Sequence, residues 1–268
     1  MADLIGIAPG ARLIICFLLT AVFVQGCATS PKNLSRQQLN MPEAEQIIAG
    51  MESRENMVRS FYSIGVVSVK GWLIDSDADI LIAGVKDPFT MKIEITHSWG
   101  KPILHVLIKD NRLEVLSFQE KAIYEGAYSS EALSRFLPGL DLGQDVIWSI
   151  LGSRPQVIKH DTIGEPMPGR IRLVDETGRE VESIFLPVTK YIPSRISLPV
   201  QSLEVLYSEI REVNGVSYAG EMELKGLKSG KDLGLKVKSQ SVNTDLPEQI
   251  FSIERLPSYK IIDIDDNG

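Results

Sequence analysis

Residues 89–96, Phe89-Thr90-Met91-Lys92-Ile93-Glu94-Ile95-Thr96, decide how the rest of the chain is read. Phe89, Met91, Ile93 and Ile95 alternate with Thr90, Lys92, Glu94 and Thr96. That period of two marks a strand with one buried face and one wet face. Asp87-Pro88 just before it is a turn signal. Similar runs flank it: 64–72 and 78–86 upstream, rich in β-branched residues, and 103–108 and 113–118 downstream. The last two are joined by Lys109-Asp110-Asn111-Arg112, which predicts a hairpin. Strand patterns resume at 170–174, 181–187, 194–199, 204–212, 216–224 and 233–242, with a final segment at 250–253. Asn214-Gly215 is the strongest two-residue hairpin signal among them.

Helical periodicity is confined to three places. Pro42 sits where a first-turn proline belongs, with Glu43 and Glu45 near the positive end of the helix dipole. Ala44, Ile47, Ile48, Met51, Val58 and Phe61 then fall on one face, predicting an amphipathic helix of about five turns. Ser129-Ser130-Glu131 starts a short helix that Pro138-Gly139 stops, and 144–151 forms another, ended by Gly152 and Pro155. About eleven short sequential strands make a large antiparallel sheet, and a sheet of that size curls. The expected class is α+β: a strongly curved antiparallel sheet, a half-open β-barrel, with an N-terminal helix and short lid helices on its concave side. No linker-like stretch marks a second domain.

Working outward to the N-terminus, Leu13-Ile-Ile-Cys-Phe-Leu-Leu-Thr-Ala-Val-Phe-Val24 follows Arg12 and contains one polar residue, Thr20. As a helix it spans about 18 Å at 1.5 Å per residue, short of the ~30 Å hydrocarbon core. That length suits the apolar region of a secretory signal. Its end, Val24-Gln25-Gly26-Cys27, resembles the bacterial lipoprotein signal, in which a lipid-modified cysteine follows a Gly or Ala. The resemblance implies a signal peptide over 1–26, acyl chains on Cys27, a flexible polar tether over 27–41 and a folded domain over 42–260. An acidic, disordered tail is expected over 261–268. Ala28, rather than Asp, after Cys27 implies the outer membrane, facing the periplasm.

The charge of −7 without a basic cluster argues against nucleic acid. Cys16 leaves with the signal and Cys27 is acylated, so no thiol remains for a disulfide, a nucleophile or a metal site. His97, His105 and His160 lie far apart without a second ligand at helical or hairpin spacing. Asp75-x-Asp77-x-Asp79 lacks the Gly and Glu of a calcium loop, and 226–231 lacks a spacer and the Ser or Thr of a phosphate loop. No metal, cofactor or catalytic constellation is expected; binding or architecture is.

The order of elements resembles the LolA/LolB-like lipoprotein-localization superfamily. The resemblance is carried by the helix running into Phe61-Tyr62-Ser63-Ile64-Gly65, by Pro88-Phe89-Thr90-Met91-Lys92-Ile93-Glu94, and by Trp99-Gly100. It continues through Asp110-Asn111-Arg112-Leu113, Tyr124-Glu125-Gly126 and Leu151-Gly152-Ser153-Arg154-Pro155. It ends with Asn243, Leu246-Pro247 and Phe251-Ser252-Ile253. It implies an open half-barrel with a helical lid over a cavity that takes the acyl chains of lipoproteins, and a LolA-like periplasmic carrier as donor. The cavity would be lined by Phe89, Met91, Ile93 and Ile95 on the sheet and by Ile147, Trp148 and Ile150 on the lid. Trp99 would be the residue that touches the membrane during insertion, an amphipathic indole suited to an interface; the other reading folds it into the core. The alternative function is a tethered interaction lipoprotein that grips a protein partner with the same fold and a filled core.

Overall fold

The computed structural model describes residues 39–69, 77–137, 140, 142–187, 192–226 and 232–265. The expected signal peptide 1–26, Cys27, the expected tether up to residue 38, Asp75, the Pro138-Gly139 stop and residues 227–231 and 266–268 lie outside the described residues.

Helix α1, Met41–Asn56, is started by a capping box. The Asn40 side chain accepts from the Glu43 N–H at 2.9 Å, and the Glu43 carboxylate accepts from the Asn40 N–H at 3.2 Å. Ala44, Ile47, Ile48 and Met51 are its buried face. Val58 and Phe61, expected on that face, lie beyond its end; Phe61 belongs to the first strand. Asn243 explains the stop: its amide donates to the Met57 carbonyl at 2.8 Å and accepts from the Arg59 N–H at 2.8 Å. The chain is thereby turned into the sheet.

The sheet contains two meanders. The first comprises β1 (Ser60–Val69), β2 (Ala78–Val85), β3 (Thr90–His97), β4 (Pro102–Lys109), β5 (Arg112–Ser117) and β6 (Ala122–Ala127). Helices α2 (Ser130–Ser134) and α3 (Gln144–Leu151) follow. The second comprises β7 (Thr162–Ile163), β8 (Arg170–Val174), β9 (Glu180–Phe185), β10 (Arg195–Leu198), β11 (Leu203–Val213), β12 (Val216–Lys225) and β13 (Leu233–Val242). β13 pairs with β1 and fuses the meanders, giving the order β14-β6-β5-β4-β3-β2-β1-β13-β12-β11-β10-β9-β8-β7. Every pairing is antiparallel except that of β14 (Lys260–Asp263), which lies parallel to β6. The ends of this order, β14 and β7, do not pair among the described residues, so the barrel is open. The 109–112 hairpin is present, with Asp110 and Asn111 at φ 53° and 57°, and Asn214-Gly215 turns β11 into β12.

The structure thus has fourteen strands where about eleven were expected. β6, β7 and β14 are the additions, and 250–253 is not a strand. Residues 261–265, expected in a disordered tail, are part of the fold: Ile261, Ile262 and Asp263 lie in β14 and Ile264 is buried. Pairing with β6 supplies the partner that a short, half-charged segment cannot announce by itself. The lid helix expected at 130–137 keeps its helical form only over Ser130–Ser134.

Two clusters fill the domain. The larger lies on the concave face and includes Phe61, Met91, Ile93, Ile95, Ile147 and Trp148. The smaller joins Ala83, Leu107 and Phe251, with Tyr62, Leu246 and Ile253 against it. It lies on the opposite face of β3, because Ala83 and Leu107 are the cross-strand partners of Lys92, whose side chain alternates with those of Met91 and Ile93. Residues 246–253 therefore strap the convex side. The face of β3 expected to be wet is covered there: Lys92 is 3% exposed and donates through Nζ to the Ser252 carbonyl, with Glu94 at 3.5 Å. Burial lowers the Lys92 pKa, against the pull of Glu94.

Candidate functional site

The seven side chains expected to line a cavity come together in the concave cluster. Met91, Ile93 and Ile95 point inward from β3 and are fully buried; Phe89, half-buried, precedes the strand. Ile147, Trp148 and Ile150 face them from α3. Trp148 makes edge contacts with Phe61, ring centroids 4.8 Å apart, and with Phe89 at 6.4 Å. Its seat is Gly84, where an added Cβ would lie 2.8 Å from both Phe61 Cε1 and Trp148 Cζ3. The absent side chain lets the indole rest on the sheet.

Ile93, Ile95 and Ile150 also line an apolar pocket with Ile80, Leu137 and Leu235, enclosing about 30 Å³. That is room for only a few water molecules. The interior is therefore packed by α3 and the segment before it, and the pocket is what remains between them.

Ile95 is two residues from the end of β3, and the turn that follows carries Trp99. The turn is closed by the Gly100 N–H donating to the His97 carbonyl at 2.7 Å and by the His97 N–H donating to Lys101 at 2.9 Å. Trp99 is 69% exposed, stacked on the His97 ring at 4.9 Å with Lys101 Nζ 5.9 Å from its centroid. The indole is therefore not folded into the core. An indole thus projects from the end of the sheet at which the pocket lies. Cys27 lies outside the described residues.

His105 lies 3.9 Å from Glu94 with its pKa lowered by burial, and His160 Nδ1 is 3.0 Å from the Ile158 carbonyl.

A polar group that sequence patterns did not flag lies beside Trp148. Arg154 is 3% exposed, with its guanidinium 5.3 Å from the Phe61 ring and 5.5 Å from the Trp148 ring. Its Nε is 3.5 Å from Glu55 Oε2, and Lys86 Nζ is 3.6 Å from Glu55 Oε1. Burial lowers the Arg154 pKa, and Glu55 opposes the shift. Arginine is almost never fully buried, so no periodicity singles it out; only its place in Leu151-Gly152-Ser153-Arg154-Pro155 could have.

No family model matches the chain, and no curated protein matches it. Among solved structures, a DUF1329 family protein from Desulfovibrio piger is similar at TM-score 0.51 and 11% identity, over 79% of this chain and 96% of that one. A LolA superfamily protein from Nitrosomonas europaea aligns at TM-score 0.43 and 15% identity, over 78% of this chain and 97% of that one. The likeness to the Desulfovibrio protein is one of fold and spans nearly all of that chain. The architecture shared is an open curved sheet with helices seated on its concave face.

Proposed function

We propose that this protein is an envelope lipoprotein, held on the outer membrane by acylated Cys27, whose half-barrel receives acyl chains of lipoproteins in a LolB-like way and catalyses no reaction. The observation that supports this reading is the wholly apolar pocket beneath α3, at the end of the sheet from which Trp99 projects. At about 30 Å³ the pocket must widen to take an acyl chain, by displacement of α3 and the residues before it. Each methylene then buried contributes ~0.8 kcal/mol, enough over a chain to offset that displacement. The donor would be a LolA-like carrier, and the bilayer the final acceptor. The small pocket also favours a second reading, a tethered interaction lipoprotein with a filled core and a protein partner.

The two separate in a transfer assay. The domain without residues 1–26 and with Cys27→Ala is offered a soluble carrier loaded with radiolabelled lipoprotein. Label moving onto the domain supports the receptor reading; label that stays on the carrier, with the domain folded by circular dichroism, leaves the second. Trp99→Glu tests delivery separately. The residue touches little besides His97 and Lys101, so unfolding should be unchanged. Losing a buried aromatic at the interface, on the order of 1.5–3 kcal/mol, should slow delivery to vesicles by roughly ten- to a hundredfold. Equal delivery rates would remove Trp99 from the mechanism.

A further inference from the structure

Arg154 presents four guanidinium N–H groups with nothing to receive them. Among the described residues neither Nη1 nor Nη2 has a hydrogen-bond partner, although the side chain is buried. Its contact with Glu55, at 3.5 Å through Nε, sits at the outer limit of a hydrogen bond, and that carboxylate is shared with Lys86. The Trp148 Nε1–H, in the ring beside the guanidinium, is likewise buried without a partner. Unpartnered acceptors in this region are Gln156 Oε1, which lines a cleft with Trp148 and Glu55, and Gln240 Oε1, whose amide donates to the Gly152 carbonyl. Unpaired donors on a buried cation are costly, and a planar fork of this kind is matched by the oxygens of an anion.

A pocket of about 40 Å³ opens at this point, lined by Arg154, Arg54, Glu55, Ser217, Met51 and Pro155 among others. Its two guanidinium groups face one carboxylate already engaged twice. A cleft of about 300 Å³ that shares Glu55 adjoins it and carries Glu52 and Asp145. Those carboxylates repel an extended polyanion and leave room for the uncharged substituents of a small one.

We propose that Arg154 and Arg54 form a binding site for a phosphate-type oxyanion of low charge, either inorganic phosphate or the phosphodiester of a lipid headgroup. Arg154 supplies the buried fork, whose Nη1 and Nη2 the anion reaches as the pocket widens, and Arg54 the second cation at the rim. The site shares no lining residue with the apolar pocket, so it stands apart from the acyl-chain reading.

Thermal unfolding of the full chain in uncharged maltoside micelles tests it, with inorganic phosphate or glycerophosphoglycerol titrated against sodium chloride of matched ionic strength. A saturable rise in Tm beyond the chloride control is expected for at least one of them. Tighter binding of glycerophosphoglycerol would identify the lipid headgroup, and tighter binding of inorganic phosphate the free anion. Arg54→Gln, on a half-exposed side chain whose loss leaves the core intact, should weaken the apparent Kd at least about tenfold. Arg154→Lys, which keeps the charge and loses the fork, should weaken it as well. The proposal is overturned if neither ligand gives a saturable shift, or if Arg54→Gln binds as the wild type does.

Discussion

Glu182 is wholly buried on β9, its Oε2 accepting from the Ile158 N–H at 2.9 Å and its Oε1 unpartnered among the described residues. Burial pushes its pKa up to about 8, and the bond from Ile158 opposes this only in part. The same interior holds Tyr207, whose pKa is raised by burial first and then by the Glu182 charge. Because the folded-state pKa is raised, the native protein keeps a proton that the unfolded chain has released between about pH 4.5 and 8. Stability contributed by Glu182 is therefore greatest below that window and falls as pH rises through it, by ~1.4 kcal/mol per unit at most. Glu182→Gln keeps an acceptor for Ile158 and cannot ionise. Urea unfolding of both proteins at pH 5, 7 and 9 should show the variant gaining on the wild type as pH rises. Parallel curves would mean that Glu182 is already ionised in the native state. Val-Glu-Ser-Ile-Phe gave no sign of this, since acidic residues alternating along strands read as a solvated face. Burial of Glu182 depends on the 152–160 loop crossing the strand, a contact that pattern does not encode.

The same limit separates the elements that sequence reading found from those it did not. β8, β13 and α3 have the boundaries their own periodicity predicts, because each buries a regular set of apolar residues. β14 and β6 were not foreseen, because β14 exists through its neighbour. The strap over the convex face was missed for the same reason. Lys92 alternates as a wet-face residue should, and the return of 246–253 covers it. That strap is held by Phe251 against Ala83 and Leu107, by Lys92 on Ser252, and further on by Arg255 beside Glu125 at 2.7 Å. Phe251→Ala removes the anchor of the small cluster and should cost about 3–5 kcal/mol if the strap stays in place, less if it lifts away. Amide exchange distinguishes the two. Lifting predicts lost protection over 246–253 and β14 with β8–β10 unchanged, and uniform loss of protection would show that the strap unfolds with the whole domain.

Two meanders of unlike origin in the chain become one molecule at the β1·β13 pairing, where nine residues of β1 face β13 with a shift between Ile64 and Gly65. The apolar cluster runs across that seam, from Phe61 and Val67 to Leu235, Val237 and Val242, so neither half keeps its core without the other. The seam is also where the pocket lies, since Val67, Leu233 and Leu235 close it from this side. Stability and the pocket's shape are therefore governed by one contact between backbones. At Gly65 that contact leaves no space: an added Cβ would stand 2.4 Å from the Lys236 carbonyl oxygen, a backbone atom that cannot swing aside. Gly65→Ala must push β1 from β13, and overpacking of this kind costs about 1–3 kcal/mol. Because the two halves share one core, the loss should appear as a lower midpoint in a single unfolding transition seen alike by fluorescence and circular dichroism. Two separated transitions would show that each meander folds on its own. An unchanged midpoint would show that the bulge absorbs the methyl group, and that the seam is softer than its geometry requires.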